Sequence, residues 1–266
     1  MSTNLPRALR LLEEGCTARL HLGAQLVVWH RGALVDSLAF GERRPGEPMT
    51  ADTLMLWLSA GKPLTVVAVA QQWERGRLDL DAPVAALLPE FSAGGKAGTP
   101  PRHLPTHTPG LRLADNLPDD VAWDDAVARV CATPLEPGWR VGEQAGYSAQ
   151  AAWFILGELV RRLEGRPFAE YLRAEVLDPA GLADVWVGMP PERFAGYGPR
   201  IGATFNTFTR EFVPHPAWDS AAVCGRCRPG GGARGPLAGL ARFYQLLLAG
   251  GELDSRCYYS VGGGFV

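Results

Sequence analysis

The chain has 266 residues, of which 47% are hydrophobic and 20% charged, and its 26 basic residues nearly balance its 28 acidic residues. A chain of this length can bury enough surface on folding to form a large hydrophobic core, so it does not need disulfide bonds for stability. A net charge of −2 excludes the broad basic surface of a general nucleic-acid-binding protein. No apolar run reaches the roughly 20 residues that cross a bilayer, and no signal peptide is recognisable. We therefore expect a cytoplasmic protein with no nucleic-acid or membrane partner.

Apolar periodicity predicts several helices and one β-hairpin. In chain order, the helices are predicted at 5–20, from about 59 to 75, and at 122–134, 149–165, 168–182 and 237–251, and the strands at 24–29 and 33–40. Arg31 and Gly32 lie between the two strands as the turn. Pro63 is compatible with its helix only in the first turn, so Ser59 is expected near the start of that helix.

The remaining segments have little periodicity. Residues 79–118 are rich in Pro, Gly and Asp and predict short helical pieces joined by loops. The order of elements predicts one α/β (α+β) domain over residues 1–266, with an antiparallel sheet flanked by helices and a helical subdomain at roughly 76–190. A hairpin alone makes a poor sheet, so more strands are expected, and the sequence ends at Val266 before supplying them.

A Ser-x-x-Lys tetrad, Ser59 to Lys62, is the first candidate for chemistry. Residues three apart share one helix face, so the lysine ammonium can reach the serine hydroxyl. A hydroxyl becomes a good nucleophile when a nearby base takes its proton or a cation favours the alkoxide. Tyr147 follows 88 residues later, between a Pro-Gly loop and a strong helix, and a tyrosine beside a lysine can act as a general base. The alternatives are an exposed Ser and Lys on an ordinary helix and a structural tyrosine.

Four segments occur in order over roughly residues 5–254. They are WLSAGKPLT, LPTHTPGL, PGWRVGEQAGYSAQAAWFILGELVRRLEGRPFAEYL and GGGARGPLAGLARFYQLLLAGGELD. Together they resemble the serine β-lactamase-related family, which includes class C β-lactamases, D-alanyl-D-alanine carboxypeptidases and esterases of the same fold. The resemblance implies a β-lactamase/transpeptidase-like fold. It also implies Ser59 as the acyl-forming nucleophile, Lys62 as its activating partner, and Tyr147 as the base that later protonates the leaving group. The backbone N–H of Ser59 would form half of the oxyanion hole.

The sequence departs from the family pattern at two places. The family often has Tyr-x-Asn as its second motif, whereas the third position here is Ala149, which favours the esterase-like members. The third motif, Lys or His followed by x-Gly on a late strand, is absent from the last residues, CYYSVGGGFV. We therefore expect a domain without its C-terminal strands.

Other motifs carry less chemistry. Cys224 and Cys227 form a CxxC without a second pair or a nearby His, so no metal or other cofactor is expected. His107, within THTPGL, is a candidate for a Ser-His pair, but the family resemblance implies that this segment is a structural turn beside the site. Gly230 opens a glycine triplet that lacks the strand, helix and Lys-Ser/Thr of a phosphate loop.

The leading interpretation is a serine hydrolase that acts through an acyl-enzyme on a small-molecule ester or amide. One alternative is a catalytically silent, truncated relative or binding module, which the missing third motif favours. Another is a penicillin-recognising carboxypeptidase or a β-lactamase, against which Ala149 and the lack of an export signal argue. The oligomeric state is left open.

Overall fold

The computed structural model describes residues 4–206 and 211–260. The α-helices are α1 (Pro6–Thr17), α2 (Lys62–Glu74), α3 (Trp123–Ala132), α4 (Ala151–Glu164), α5 (Phe168–Leu172), α6 (Pro191–Tyr197), α7 (Ala221–Cys224) and α8 (Leu237–Leu248). The strands are β1 (Gly23–His30), β2 (Ala33–Arg44), β3 (Glu47–Pro48), β4 (Met55–Leu56), β5 (Phe205–Asn206), β6 (Val213–Pro214), β7 (Arg234–Gly235), β8 (Glu252–Leu253) and β9 (Arg256–Cys257).

The predicted hairpin is confirmed as β1 and β2, which pair antiparallel from Gly23 opposite Gly41 to the turn. Arg31 and Gly32 have φ values of 51° and 77°, and positive φ at both central residues is what a two-residue type I′ turn requires. β3 pairs antiparallel with the other edge of β2, so the sheet has the order β1-β2-β3. Within residues 4–206 and 211–260, no strand pairs with the free edge of β1.

Helices cover both faces of this sheet. Leu38 and Phe40 of β2 are buried in one cluster with Leu9 of α1. Gln25 of β1 lies on the opposite face, and its side-chain oxygen accepts a hydrogen bond at 3.1 Å from the Leu237 N–H, where α8 begins. Alternate residues of a strand point to opposite faces. The sheet therefore lies between α1 and α8, and the predicted mixed α/β class is confirmed.

The largest core cluster lies around α2 and α4, which pack against each other. Ala68 of α2 and Ile155 of α4 are completely buried, and every α4 residue from Ala151 to Val160 is buried. Gly165 ends α4 with φ 68°, the left-handed conformation that glycine adopts at helix C-termini. The helix predicted at 149–165 is thus confirmed, and it is the central helix of the domain.

The helix predicted at 168–182 is wrong in its second half. α5 ends at Leu172, and Arg173–Leu177 form a π-helical turn, in which the Asp178 N–H donates to the Arg173 carbonyl at 2.9 Å. Pro179 follows at once and has no N–H to continue a helical ladder.

Residues 79–118 contain short 3-10 turns joined by loops, as predicted. These turns are Val84–Ala86, Pro89–Ser92, Pro101–His103 and Arg112–Ala114. The grouping of residues 76–190 into a helical subdomain stays a prediction. No helix in the described part of the chain is both long and apolar enough to span a membrane. The glycine-rich segment 261–266 lies outside the described residues.

Candidate active site

Ser59 lies on a 3-10 turn between β4 and α2, so the helix predicted to begin near it begins instead at Lys62. Leu58 in this turn has φ 49°, a left-handed conformation that costs a non-glycine residue about 1–3 kcal/mol. The turn is fixed by the preceding tryptophan, Trp57. Its backbone N–H donates to the Ala233 carbonyl at 2.8 Å, and its indole N–H donates to the Gly235 carbonyl at 2.9 Å. This anchored turn leaves Ser59 exposed to solvent.

Lys62 lies directly beneath Ser59, because a 3-10 turn has three residues and places positions i and i+3 one above the other. Its side chain is buried, with 6% of the residue exposed. The Nζ atom donates to Ser59 Oγ at 3.1 Å, to the Ala149 carbonyl at 2.9 Å and to the Gly230 carbonyl. Three acceptors match the three protons of an ammonium. The neutral amine can keep both carbonyl contacts and accept the serine proton instead.

Burial lowers the pKa of Lys62, and the charge of Arg228 lowers it further. A hydrogen bond and a charge interaction with Tyr147, together with the negative charge of Asp115, oppose this change. Within the described residues, no carboxylate lies within 4.0 Å of Nζ as an ion-pair partner. The ammonium is therefore solvated mainly by neutral oxygen atoms, a setting that makes its proton easier to remove.

Tyr147 completes the set of three predicted residues. Its phenol oxygen is hydrogen-bonded to Ser59 Oγ, and its ring centre lies 5.2 Å from Lys62 Nζ. The ring of His107 packs against it, with ring centres 4.6 Å apart. About half of Tyr147 is exposed, so the phenol and the serine hydroxyl meet at the surface above a buried cation.

The Tyr147 loop (residues 146–151) is held by Asp115, which the sequence did not point to. One carboxylate oxygen, Oδ1, accepts hydrogen bonds from the Ser148 hydroxyl and from the Gln150 and Ala151 N–H groups at 2.8–3.0 Å. The other, Oδ2, accepts from the Ala149 N–H at 2.9 Å. These N–H groups belong to the start of α4, where backbone donors have no partner within the helix.

His107 contacts the same loop, in the turn where the sequence placed it. Its Nδ1 accepts from the Ser148 N–H at 3.1 Å, and its carbonyl accepts from the Gly146 N–H at 2.8 Å. Burial lowers the pKa of His107, and the nearby charge of Lys62 lowers it further. An imidazole that accepts through Nδ1 carries its proton on Nε2, so His107 supports the phenol as a neutral ring.

Gly230 also contributes to the site, by contacting Lys62, which was not predicted from the sequence. A Cβ atom at this position would lie 2.5 Å from the Ala149 carbonyl oxygen, so only glycine fits there. Its own carbonyl accepts from Lys62. The close approach brings two backbone carbonyls onto one ammonium. The glycine triplet that begins at Gly230 was the signal in the sequence. It does not match a phosphate loop, so no function was assigned to it from the sequence.

The CxxC pair lies apart from this chemistry. Both Cys224 and Cys227 are free thiols. Burial raises the pKa of Cys224 and raises the pKa of Cys227 to about 12, so both remain protonated. Among the described residues, no three His, Cys, Asp or Glu side chains come together as a metal site.

Comparison with known proteins places this geometry in context. The sequence profile described as Beta-lactamase matches residues 10–257. Esterase EstB from Burkholderia gladioli is 32% identical over 210 residues, which cover 70% of this chain and 52% of the esterase. Esterase/beta-lactamase LipL from Mycobacterium tuberculosis is 28% identical over 171 residues, which cover 64% of this chain and 40% of LipL. The chain thus spans about half of the length of the esterase EstB that it matches.

Solved structures agree with the fold. A penicillin-binding protein homolog from Caulobacter crescentus superimposes with a TM-score of 0.77 at 26% identity, over 98% of this chain and 74% of that one. A family VIII carboxylesterase superimposes with a TM-score of 0.81 at 22% identity, over 97% of this chain and 73% of the carboxylesterase. The resemblance predicted from the four sequence segments is confirmed, and so is the predicted fold.

Proposed function

The chain belongs to the β-lactamase family, and we propose that it is a serine hydrolase of the esterase type, acting through an acyl-enzyme on Ser59. One observation carries this proposal. The exposed Ser59 hydroxyl is hydrogen-bonded to the Tyr147 phenol and also accepts a hydrogen bond from the buried Lys62 ammonium. A nucleophile, a proton acceptor and a cation are thus in direct contact. Such a cluster activates a hydroxyl that is unreactive by itself.

The reacting form in this proposal is the Tyr147 phenolate beside the Lys62 ammonium. It forms from the phenol and the neutral amine when one proton moves from Tyr147 to Lys62, and burial, which lowers the pKa of Lys62, favours the neutral amine that this transfer needs. The phenolate takes the Ser59 proton while Oγ attacks the substrate carbonyl carbon. The backbone N–H of Ser59 is proposed as one donor to the resulting oxyanion.

The tetrahedral intermediate then collapses. The carbon–oxygen bond to the leaving alcohol breaks, Tyr147 returns its proton to the departing alkoxide, and the acyl group remains on Ser59 Oγ. In the second half of the cycle, Tyr147 accepts a proton from water as the water oxygen attacks the acyl carbon. Ser59 Oγ leaves and regains the proton, which releases a carboxylic acid and restores the starting site.

The character of Ala149 supports an ester rather than a β-lactam or peptide as the substrate. Its methyl side chain cannot hydrogen-bond to a substrate amide, and its carbonyl is occupied by Lys62. A substrate amide without a hydrogen-bond partner in the site would weaken binding by about 1–3 kcal/mol. The similarity to proteins named as esterases points in the same direction. The chemical class we propose is a small-molecule ester.

Covalent labelling with intact-mass spectrometry tests the proposal. The wild-type protein is incubated with a fluorophosphonate and, separately, with a labelled penicillin. We expect one fluorophosphonate adduct, mapped to Ser59 by peptide analysis, and hydrolysis of p-nitrophenyl esters. Ser59→Ala should abolish both while the protein stays folded. Ser92→Ala is the matched control, because Ser92 is also an exposed serine in a 3-10 turn but lies outside the site.

Each outcome separates two functions. Labelling by the fluorophosphonate alone supports the esterase. Labelling by both reagents shifts the assignment to a penicillin-recognising enzyme. Absence of any adduct on a folded protein refutes the hydrolase and leaves a catalytically silent relative or binding module.

A further inference from the structure

Asp115 concentrates four hydrogen bonds on the residues that follow Tyr147. We propose that Asp115 is a positioning residue, which sets the Tyr147 phenol and the Ala149 carbonyl relative to Ser59 and Lys62. Its carboxylate lies on a separate loop and contacts neither Ser59 nor the Tyr147 ring. Its effect on the reaction therefore passes through the Tyr147 loop, and the inference rests on the proposed function.

The two carboxylate oxygens have different partners. Oδ1 accepts from the Ser148 hydroxyl and from the N–H groups of Gln150 and Ala151. These contacts supply the helix cap that Gln150, the N-cap residue of α4, does not provide with its own side chain. A carboxylate is also favoured at the positive end of the helix dipole. Oδ1 therefore acts on the start of α4.

Oδ2 acts on the catalytic geometry, through a single residue. Among the residues that the structure describes, it accepts from the Ala149 N–H alone, and the carbonyl of that same residue accepts from Lys62 Nζ at 2.9 Å. Asp115, Ala149 and Lys62 are thus connected in series. A shift of the Ala149 backbone would move an acceptor of the ammonium that lies 3.1 Å from Ser59 Oγ.

The other side of Tyr147 is fixed by His107. The N–H groups of Gly146 and Ser148, on either side of Tyr147, donate to the carbonyl and to Nδ1 of His107. With Ala149 held by Asp115, the backbone is fixed before and after the tyrosine. About half of the Tyr147 surface is exposed to solvent. The fixed backbone therefore keeps the phenol in contact with Ser59 although the ring is not packed in the core.

Charge gives a second route from Asp115 to the site. The charged and titratable groups that interact with Lys62 are Tyr147, Asp115, Arg228 and His107. Of these, Asp115 opposes the lowering of the Lys62 pKa by burial, and Arg228 adds to it. Loss of the Asp115 charge should therefore lower the Lys62 pKa further.

Asp115→Asn tests the inference, because an asparagine keeps one side-chain oxygen and replaces the other with an NH₂ group, so that the roles of Oδ1 and Oδ2 can be distinguished. Its carbonyl oxygen can replace Oδ1 and keep three donors satisfied, while its NH₂ group then faces the Ala149 N–H, donor against donor. We expect the melting temperature to fall by a few degrees, because the Ala149 N–H loses its acceptor and α4 loses a negative charge at its start. We expect kcat for p-nitrophenyl acetate to fall about 10- to 100-fold and KM to stay within about threefold. The limb of the pH–rate profile that Lys62 governs should move to lower pH.

Glu158→Gln is the control. Glu158 is a buried carboxylate on the same helix, α4, but it contacts Trp123, Arg161 and Arg162 rather than the Tyr147 loop. This change should lower stability and leave kcat and the pH profile of the folded enzyme unchanged. Wild-type kcat and an unshifted pH profile in Asp115→Asn would overturn the inference.

A spectroscopic readout keeps the test independent of turnover. With ¹³C-labelled tyrosine, the Tyr147 ring signal, assigned by its loss in Tyr147→Phe, should shift in Asp115→Asn and stay in place in Glu158→Gln. If the wild-type protein neither hydrolyses esters nor reacts with a fluorophosphonate, the proposed function fails. The NMR comparison still decides whether Asp115 positions Tyr147, and an unchanged Tyr147 signal refutes it.

Discussion

Lys62 and Glu158 are both buried ionisable side chains, but their surroundings differ in kind. Glu158 is fully buried and receives hydrogen bonds from the Trp123 indole at 2.8 Å, from Arg161 at 2.6 Å and from Arg162 at 2.8 Å. Burial alone would raise the pKa of Glu158, but these hydrogen bonds outweigh it and the pKa is lowered. Two guanidinium groups thus keep this carboxylate charged.

Lys62 has no such counter-ion within ion-pair distance in the described residues. Its partners are a hydroxyl and two carbonyls, so burial lowers its pKa. Removing one member of a compensated buried charge cluster destabilises the fold, whereas a buried charge without a counter-ion exchanges its proton more easily. The comparison supports a structural role for Glu158 and the proposed catalytic role for Lys62.

The largest effect should come from removing the charge at Lys62. We expect Lys62→Met to reduce ester turnover about 10²- to 10⁴-fold, the range that a positioned proton-transfer group contributes. Lys62→Arg should be nearly as damaging, because a guanidinium cannot lose its proton in the working pH range. Steady-state kinetics on folded variants measures both effects.

Lys96 supplies the matched control for this change. It is also a completely buried lysine, whose Nζ donates to the Thr133 carbonyl and lies 5.5 Å from the centre of the Phe91 ring. Burial lowers the pKa of Lys96 as well, but its hydrogen bond goes to a backbone carbonyl and not to a serine hydroxyl. Lys96→Met should keep wild-type turnover. Full activity in Lys62→Arg would show that only a positive charge is needed, and would contradict the assignment of proton exchange to Lys62.

A smaller, purely structural effect is expected at Glu158. Glu158→Gln should lower the free energy of unfolding by about 2–3 kcal/mol, because two guanidinium groups lose a charged partner. Urea denaturation at about pH 7 measures the loss. Turnover per folded molecule should not change, and a large fall in kcat at unchanged stability would reverse the two assignments.

The same variant has a defined pH dependence. Because the folded-state pKa of Glu158 is lowered, its stabilisation is present above the pKa of an unfolded glutamate, roughly 4.3, and is lost as the pH falls through the folded-state value. The stability difference between wild type and Glu158→Gln should therefore be complete at about pH 7 and shrink below about pH 4.

The contrast also shows what can be predicted from sequence. Short-range patterns were sufficient for the β1–β2 hairpin, with its Arg31-Gly32 turn, and for α4, with its terminal Gly165. The Ser59 and Lys62 pair followed from spacing, Tyr147 was a candidate from its place between a loop and a helix, and the family resemblance implied the roles of all three. The structure brings all three together, and their catalytic roles stay predictions.

The supporting groups could not be found in the same way. Asp115 acts on residues 33 to 36 positions away, and the Gly230 carbonyl reaches Lys62 across 168 positions. Such contacts depend on tertiary packing, for which one sequence has no local signal. The 3-10 turn at Ser59 was missed for a related reason. Leu58 has a positive φ directly after Trp57, which is anchored on β7 and its neighbour, and a leucine in the sequence does not predict this conformation.

The central claim is that Ser59, activated by Tyr147 above Lys62, forms a covalent acyl intermediate. The most direct test is to mix the protein with p-nitrophenyl acetate, quench the reaction in acid within the first turnovers, and map the acetyl group by peptide mass spectrometry. The account predicts one acetyl group on Ser59 in the wild-type protein and in Ser92→Ala, and almost none in Tyr147→Phe. An acetyl group at another residue, or ester turnover that persists in Ser59→Ala, would contradict it.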